Sequence, residues 1–363
     1  MAAKLELVHV QPLWEKAPTT ARNGTRQLAS LQPPLKMLLV ETVAPNLRRE
    51  QSEVGVVAVE KARRERRRAL MIPREHGAWG LLLVPMITGA GVAFHQTFRP
   101  VPFALLLIAA LALFWVRTPV ESLLGTSAIR AQTKTERREV AIVIAVLGTV
   151  AIAALLELLW AGRNPALWLI GAVAGVAFLG QALLKLMLRW TPRPSGDSPP
   201  SASAAGTQRN LNSRQHFSHR LRMLSEIVGT VGLTSAAPAA YYVVTGKLGL
   251  TAWLLWLANL FFAGNQIHYV QLRIHSAKIE GFRAKLAQGW SFAVGQAVMT
   301  IALTVASVSG LMPQFLSLAF VPVLFRGWFS FIQRPAPLRV RRLGWSELAH
   351  AVTFCLLFII MAA

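Results

Sequence analysis

Nine long apolar stretches constrain the fold of this chain more than any other feature. A helix needs about 20 mostly apolar residues to cross a bilayer, because every backbone amide must find its hydrogen bond inside the same segment. The sequence therefore predicts an all-α fold, a polytopic membrane helical bundle of about nine transmembrane helices. We place these helices at residues 76–95, 100–118, 139–160, 165–187, 224–244, 248–271, 290–309, 312–333 and 346–363.

The composition is typical of a membrane protein, and this affects how the positive charge of the chain is interpreted. The 363 residues are 54% hydrophobic and only 15% charged, with 38 Lys and Arg against 16 Asp and Glu. In a soluble protein a net charge of +22 would suggest nucleic-acid binding, whereas membrane proteins accumulate Lys and Arg in cytoplasmic loops. We therefore expect the lipid bilayer as partner and no nucleic acid. The single cysteine, Cys355, excludes a disulfide framework.

The distribution of basic residues along the chain predicts its orientation. The predicted helices pair into hairpins whose short connectors hold three Lys and Arg, while the connectors after the second, fourth, sixth and eighth helices and the helix ends beside them hold 21. Since basic loops stay in the cytoplasm, the amino terminus is expected inside and the carboxyl terminus outside.

Two parts of the chain lack the pattern of a folded segment. Residues 1–70 have scattered prolines, no sustained periodicity and an arginine-rich end, which predicts a disordered basic extension before a transmembrane domain at 71–363. Met71 directly precedes the first predicted helix, so our hypothesis is that translation naturally starts there. Residues 191–218 are rich in Pro, Ser and Ala, which predicts a flexible cytoplasmic linker.

Polar side chains gather near the predicted helix ends that face the cytoplasm. An ionisable group is costly inside a membrane, so it is the default candidate for a functional site. If the helices bring these groups together, they line a polar cavity that opens to the cytoplasm. The candidate acids and bases are His76, Glu226, His268 and His350. The candidates that would bind the rest of a substrate are Arg74, Glu75, Trp79, Arg117, Asn265, Tyr269, Arg273, Arg339 and Glu347.

Many of these residues also have a purely structural explanation. Glu75 and Glu347 lie at helix amino termini, where a carboxylate interacts favourably with the helix dipole. His268 lies deeper in its helix, and a satisfied interior histidine and a site residue explain it equally well. The long cationic side chains could simply extend to lipid head groups, an explanation that covers Arg74, Arg273, Arg326 and Arg339.

The sequence predicts no metal site and identifies no cofactor. Glu347 and His350 are three residues apart and share a helix face, and carboxylates with imidazoles are ligands of zinc and di-iron sites in helix bundles. Glu75 and His76 in the first helix could add to this set. A second Glu-x-x-His pair is missing, so the ligand set is incomplete.

Gly171 and Gly175 form a G-x-x-x-G step in the fourth predicted helix. Small residues at this spacing let a second helix approach closely, so we expect a tight helix contact there. We assign these glycines to packing and not to chemistry.

The start of the first predicted helix resembles a known family. Residues 72–79, which read Ile-Pro-Arg-Glu-His-Gly-Ala-Trp, are followed by Leu83, Val84 and Pro85, and together they resemble the amino-terminal signature of the YwiC-like family of multi-spanning bacterial membrane proteins. The resemblance would cover residues 71–363. It implies a location in the bacterial cytoplasmic (inner) membrane, and it implies no activity.

The predicted topology is also similar to that of the UbiA superfamily of intramembrane prenyltransferases. Those enzymes hold a prenyl diphosphate through magnesium bound by aspartate-rich motifs in two cytoplasmic loops. The corresponding loops of this chain contain no aspartate, because Asp197 is the only one in the sequence. Without clustered carboxylates the magnesium clamp is missing, so ordinary prenyl transfer is not expected.

Three functions stay open from the sequence. The first is a protein that binds or processes an anionic lipid or an isoprenoid-type substrate in the polar cavity. The second is a proton-coupled transporter, for which intramembrane Glu and His are suited, although no pair of Gly- or Pro-broken helices stands out. The third is a non-catalytic assembly or scaffold subunit, in which the polar side chains join helices.

Overall fold

The computed structural model describes residues 60–72, 76–127, 129–160, 165–190, 221, 223–277, 279–333 and 340–362. Across these ranges the secondary structure is helical and includes no strand, so the all-α prediction is confirmed there. The predicted linker at 191–218 and most of the predicted extension, residues 1–59, lie outside the described residues.

The helices are labelled in chain order. They are α1 His76–Phe94, α2 Pro100–Leu124, α3 Lys134–Trp160, α4 Leu167–Trp190, α5 at 223–234, α6 Ala236–Thr245, α7 Leu250–Ser276, α8 Phe282–Gln288, α9 Trp290–Val308, α10 Val321–Ile332 and α11 Val340–Ala362, with a 3-10 helix at Gln314–Phe320 before α10. Several extend beyond the predicted apolar cores, because helical hydrogen bonding continues into the polar membrane interface.

The chain divides into two compact units, Met1–Arg67 and Arg68–Ala363. In the first unit, residues 60–67 are helical, and Arg64 pairs with Glu60 one turn away at 2.6 Å. This end of the predicted extension is therefore helical, and its Glu, Lys, Ala and Arg residues favour a helix. The second unit contains α1 to α11.

Within the described residues, seven helical segments are long and apolar enough to cross a membrane. The chain is thus a polytopic helical membrane protein. The two further predicted spans are helical as well, but α1 has its apolar stretch at Trp79–Phe94 only. Helix α7 has 27 residues, and Asn259, Asn265 and Gln266 lower its hydropathy.

A broken helix occupies the middle of the bundle. In the most apolar stretch of the span Met223–Thr245, 67% of the residues are buried, whereas the figure for Lys134–Trp160 is 17%. It is interrupted at Ser235, which separates α5 from α6. Pro238 explains the interruption, because proline lacks the N–H that would bond the carbonyl four residues earlier, at Thr234.

A second span also changes its helix type. The segment Phe315–Ile332 begins as the 3-10 helix and becomes α10, with Pro322 in the first turn of α10. The sequence alone did not reveal a pair of broken spans, whereas the structure contains an interruption at Ser235 and a 3-10 to α junction at Phe320. In the sequence, both spans look like uninterrupted apolar segments, because a single proline changes the mean hydropathy of a segment little.

Close backbone contact and aromatic stacking join the helices of the core. A Cβ atom at Gly89 of α1 would collide with the carbonyl oxygen of Ala237 in α6, so only glycine permits this approach. Phe354 of α11 stacks on Phe262 of α7 with ring centroids 4.1 Å apart and meets Phe320 edge-on at 5.0 Å. The outward side chains of α3, in contrast, are apolar and exposed, as expected for a surface in lipid.

Candidate functional site

A buried ion pair joins α10 to α11. Arg326 Nη1 donates to Glu347 Oε1 at 2.5 Å, and the two side chains are only 9% and 14% exposed. Charges at such depth need a partner, because their desolvation is otherwise uncompensated. The explanation that Arg326 extends to lipid head groups is therefore wrong, since its side chain turns into the bundle.

Helix α7 contacts both members of this pair. The guanidinium of Arg326 lies over the ring of Tyr269, 4.0 Å from its centroid, which is a cation–π contact. Gln266 Nε2 donates to the backbone carbonyl oxygen of Glu347 at 3.0 Å. Three helices therefore fix the position of the ion pair.

Two more cations contact Gln333, the residue that follows α10. Arg273 Nη1 donates to Gln333 Oε1 at 3.2 Å, and Lys285 Nζ donates to the backbone carbonyl of Gln333. Lys285 is buried in the short helix α8, and the residue before this helix, Gly281, has a φ of 85°, which glycine readily adopts. Burial lowers the pKa of Lys285, and the charge of Arg273 lowers it further.

These residues form one group with excess positive charge and excess donors. It has three cations and one carboxylate, and the buried Nε of Arg273 and the buried Nε and Nη2 of Arg326 have no hydrogen-bond partner among the described residues. Glu347 Oε2 is likewise without one. Buried polar atoms in proteins are nearly always paired, so this group is unusual. We call Tyr269, Arg273, Lys285, Arg326, Gln333 and Glu347 the Arg326 cluster.

An aromatic layer lies against the Arg326 cluster. Phe292 has its ring centroid 6.3 Å from that of Tyr269 and 6.0 Å from that of Phe331. Beside it, the amide of Gln296 fills the space over Gly327, where a Cβ atom would collide with it. Apolar surroundings strengthen electrostatic interactions, so a charge that enters here is felt strongly.

A separate cavity lies on another face of α7. It has a volume of about 260 Å³, and Glu226, His268 and Thr230 line it. Gln271 Nε2 donates to Glu226 Oε2 at 2.7 Å. Since 3.6 residues make one turn, His268 and Tyr269 point about 100° apart, and the cavity and the Arg326 cluster occupy different sides of α7.

A third polar group joins α2 to α4. Glu121 Oε1 accepts from Arg117 Nε at 3.0 Å and from Lys185 Nζ at 2.8 Å. Gln181 of α4 contacts Gly229 of α5, and Gln271 bonds Glu226, so all three polar groups lie at the same end of the bundle. We call Arg117, Glu121 and Lys185 the Glu121 cluster.

The structure brings together only some of the predicted site residues. Tyr269, Arg273 and Glu347 meet in the Arg326 cluster, and Glu226 and His268 share the cavity. The described candidates thus form separate groups, so the condition for a single cavity, that all of these groups come together, is not met among the described residues. Arg74, Glu75, Arg339 and the side chain of His76 are also candidates, and they lie outside the described part of the structure.

Four other candidates have different surroundings. Trp79 packs edge-on against Phe114, with ring centroids 4.7 Å apart, in an aromatic group of α1 and α2. Asn265 is buried with Oδ1 unpartnered among the described residues. His350 is half-buried, and its Nδ1 lies 2.7 Å from the carbonyl oxygen of Ser346. Arg117 belongs to the Glu121 cluster.

Sequence reasoning left several cluster residues out of the candidate set. Arg326 interrupts an apolar run, which was a usable signal for a buried cation. Lys285 gave no such signal, because its short helix reads as a connector. Gln333 and Gln296 gave none either, since neutral amides are common in membrane helices.

No group of three or more His, Cys, Asp or Glu side chains that could hold a metal ion occurs among the residues whose positions are described. Glu347 is the first residue of the Glu-x-x-His pair, and its Oε1 accepts a hydrogen bond from Arg326. The donor set of both clusters, guanidinium and ammonium groups, suits anions and not cations.

Comparison with known proteins gives one match. Residues 72–189 match the family described as YwiC-like protein. This segment is YwiC-like. The resemblance carried by residues 72–79 is thereby confirmed, and the matched segment comprises α1, α2, α3 and nearly all of α4. No curated protein and no solved structure matches the chain. The Glu121 cluster lies inside the YwiC-like segment, whereas the Arg326 cluster lies after it.

Proposed function

We propose that this protein lies in a bacterial cytoplasmic membrane and binds the anionic head group of a lipid or an isoprenoid-type substrate in the Arg326 cluster. The observation that carries the proposal is the set of buried guanidinium nitrogens of Arg273 and Arg326 that lack a partner among the described residues. A phosphate or carboxylate oxygen accepts such donors with good geometry and offsets the excess positive charge.

The proposal includes nine spans, with the amino terminus inside. In addition to the seven qualifying segments, α1 has 19 residues, and α7 with 27 residues extends about 40 Å at 1.5 Å per residue, longer than the hydrocarbon core. The 21 basic residues of the long connectors and helix ends then face the cytoplasm, together with the Arg326 cluster. A topology reporter fused at Ala363 is expected outside, and a cytoplasmic signal would contradict nine spans.

Glu226 and His268 are the proposed acid and base if the bound molecule is also processed. They line one cavity with Gln271 holding one carboxylate oxygen of Glu226, so one group can accept a proton while the other donates. His350 is half-buried one turn from Glu347 and is a further candidate for this role. His76 keeps the same proposed role from the sequence alone.

Binding is tested by measuring which lipids stay bound to the purified protein. The protein is extracted in mild detergent from membranes that contain phosphatidylglycerol and phosphatidylethanolamine, and native mass spectrometry counts the retained molecules of each. Arg273→Gln should reduce phosphatidylglycerol retention about tenfold, since a hydrogen bond to a charged group contributes about 1.5–3 kcal/mol. Arg273 has no carboxylate partner among its described contacts, so this change is expected to leave the fold intact.

The matched control is Arg283→Gln. Arg283 is exposed on α8, two residues from the buried Lys285, so the change removes the same charge near the cluster without touching it. Retention should stay at the wild-type value in this variant. Equal losses in the two variants would mean that only the overall charge matters, and unchanged retention in both would contradict the proposal.

A transporter is the second candidate, because the break at Ser235 gives the central span the discontinuous form that transporters use around a substrate. Uptake of a labelled head-group compound by sealed proteoliposomes, beyond what stays bound to the protein, would favour transport. Retention without accumulation inside the vesicles would favour binding alone.

A further inference from the structure

A long apolar cavity lies between α2, α3, α4 and the central span, apart from the Arg326 cluster. Its volume is about 820 Å³, within the range of small-molecule sites. Leucine, isoleucine, alanine, glycine and phenylalanine dominate its lining, and among the lining residues that the structure describes only Arg117 and Gln181 have charged or amide side chains. Such a lining suits hydrocarbon and excludes polar ligands.

The glycines of α4 keep this cavity open. A Cβ atom at Gly171 or Gly175 would have no neighbouring heavy atom within 4 Å, and both residues line the cavity. Among the described residues, no helix makes the close approach that this G-x-x-x-G step permits. Helix α4 instead meets α5 further along, where Gly229 and Gly232 lie against Gln181 and Ala177.

The cavity has the length of a lipid chain. Its lining runs along α4 from Leu167 to Gln181, which at 1.5 Å per residue is about 21 Å. The hydrocarbon core of a bilayer is about 30 Å thick, so the cavity is longer than one leaflet.

One end of the cavity is polar and positively charged. Arg117 lines that end, and its partner Glu121 also accepts from Lys185. Arg117 and Lys185 both donate to one carboxylate oxygen of Glu121, and the ammonium group of Lys185 carries further N–H donors. An anionic head group can therefore bind at the same end at which the hydrocarbon cavity begins.

We propose that this cavity binds one chain of an anionic membrane lipid, with its head group at Arg117 and Lys185. The chain lies along the glycine face of α4 and fills the space between α4 and α2. This site uses α2, α3, α4 and the central span, whereas the function proposed above uses α7, α8, α10 and α11. The two proposals are independent.

The test uses a phosphatidylglycerol with a photoactivatable diazirine on one acyl chain. The full chain is reconstituted into phosphatidylcholine vesicles that contain this probe, illuminated and digested, and labelled peptides are mapped by mass spectrometry. We expect the label on α4 and α2, about tenfold above the label on the exposed apolar side of α9, which does not line the cavity, because burial in the cavity holds the chain there. Equal label on α9 would overturn the proposal.

Two variants separate the cavity from the general lipid surface. Gly175→Leu fills the cavity and should reduce the label on α4 about tenfold. Gly148→Leu is the matched control, since Gly148 lies on a span, would also find no atom within 4 Å of its Cβ, and does not line the cavity. Gly171→Leu repeats the test one turn away. Unchanged labelling in both cavity variants would overturn the proposal.

The head-group part is tested with a phosphatidylcholine probe that carries the same chain. It should label α4 several-fold less than the phosphatidylglycerol probe, and equal labelling would overturn an anionic ligand. Thermal unfolding of Gly175→Leu and Gly148→Leu in detergent verifies that both variants fold. Gly175→Leu should not change the retention of phosphatidylglycerol that depends on Arg273. The proposal for the apolar cavity and the proposal for the Arg326 cluster can therefore be contradicted separately.

Discussion

The Arg326 cluster and the Glu121 cluster lie at the same end of the bundle, and both have more cations than carboxylates. They differ in depth and in hydrogen bonding. The side chains of Arg326 and Glu347 are 9% and 14% exposed, and several of their polar atoms are unpartnered in the described chain. Arg117 and Lys185 are 14% and 26% exposed, and both donate to one oxygen of Glu121.

This difference separates two uses of charge in a membrane protein. In the Glu121 cluster, Lys185 is 26% exposed and can reach lipid head groups with its long side chain, so the charge there is more easily compensated. A buried cluster with unpaired donors retains electrostatic strength because the surroundings are apolar. The first arrangement suits the end of a lipid-chain cavity, and the second suits selective binding of an anion.

Removal of the carboxylate should be most damaging in the buried cluster. Glu347→Leu leaves Arg326 buried without its anion, and we expect a loss of about 3–5 kcal/mol in the free energy of unfolding. Denaturant titration of the protein in mixed micelles measures this loss. The double variant Arg326→Leu with Glu347→Leu should regain most of the stability, because it removes the uncompensated charge. A double variant as unstable as the single one would show that the charge is not the cause.

The same change in the Glu121 cluster should cost less. Glu121→Leu leaves Arg117 and Lys185 without their shared acceptor, and we expect a loss of about 2–3 kcal/mol, limited by their access to head groups and water. The same titration measures it, with Glu280→Leu outside the helices as the surface control. If Glu121→Leu lowered the free energy of unfolding as much as Glu347→Leu, the two clusters would not differ in how their charges are compensated.

Packing beside the Arg326 cluster and packing in the apolar cavity should respond differently to one methyl group. Gly327→Ala brings a Cβ atom into the amide of Gln296, and overpacking of this kind should reduce stability by about 1–2 kcal/mol. Gly175→Ala adds the same methyl group to the open cavity and should be neutral or slightly stabilising, since alanine favours the helix. Thermal unfolding of both variants in detergent measures the contrast. A stable Gly327→Ala variant would mean that Gln296 moves freely.

The helices were predictable from the sequence because apolar length alone determines whether a segment can cross a bilayer. The sites were only partly predictable, because their residues come from faces whose rotation hydropathy does not specify. His268 and Tyr269 are adjacent in sequence and yet line different sites. Arg326 pairs with Glu347 of another helix, and this pairing replaced the simpler expectation that it extends to head groups.

The glycines also show that residue spacing in the sequence does not predict which helices come into close contact. Gly171 and Gly175 have the G-x-x-x-G spacing, whereas Gly89 is paired four residues later with Ala93 and not with a second glycine. The structure assigns the close backbone approach to Gly89 and the open cavity to the two motif glycines. A glycine permits close approach, but the helix that occupies or avoids the space is chosen by packing elsewhere in the bundle.

The smallest expected effect concerns pH. Burial lowers the pKa of Lys285 in the folded protein, so the unfolded chain binds more protons in the window between the lowered pKa and the ordinary value of 10.5. Stability should therefore rise as pH rises through that window, and Lys285→Gln should remove this increase. Retention of anionic lipid should fall over the same window, because a neutral Lys285 no longer adds to the positive charge beside Arg273. Unfolding and retention measured at a series of alkaline pH values check both trends. A wild-type slope that Lys285→Gln leaves unchanged would assign the titration to another group.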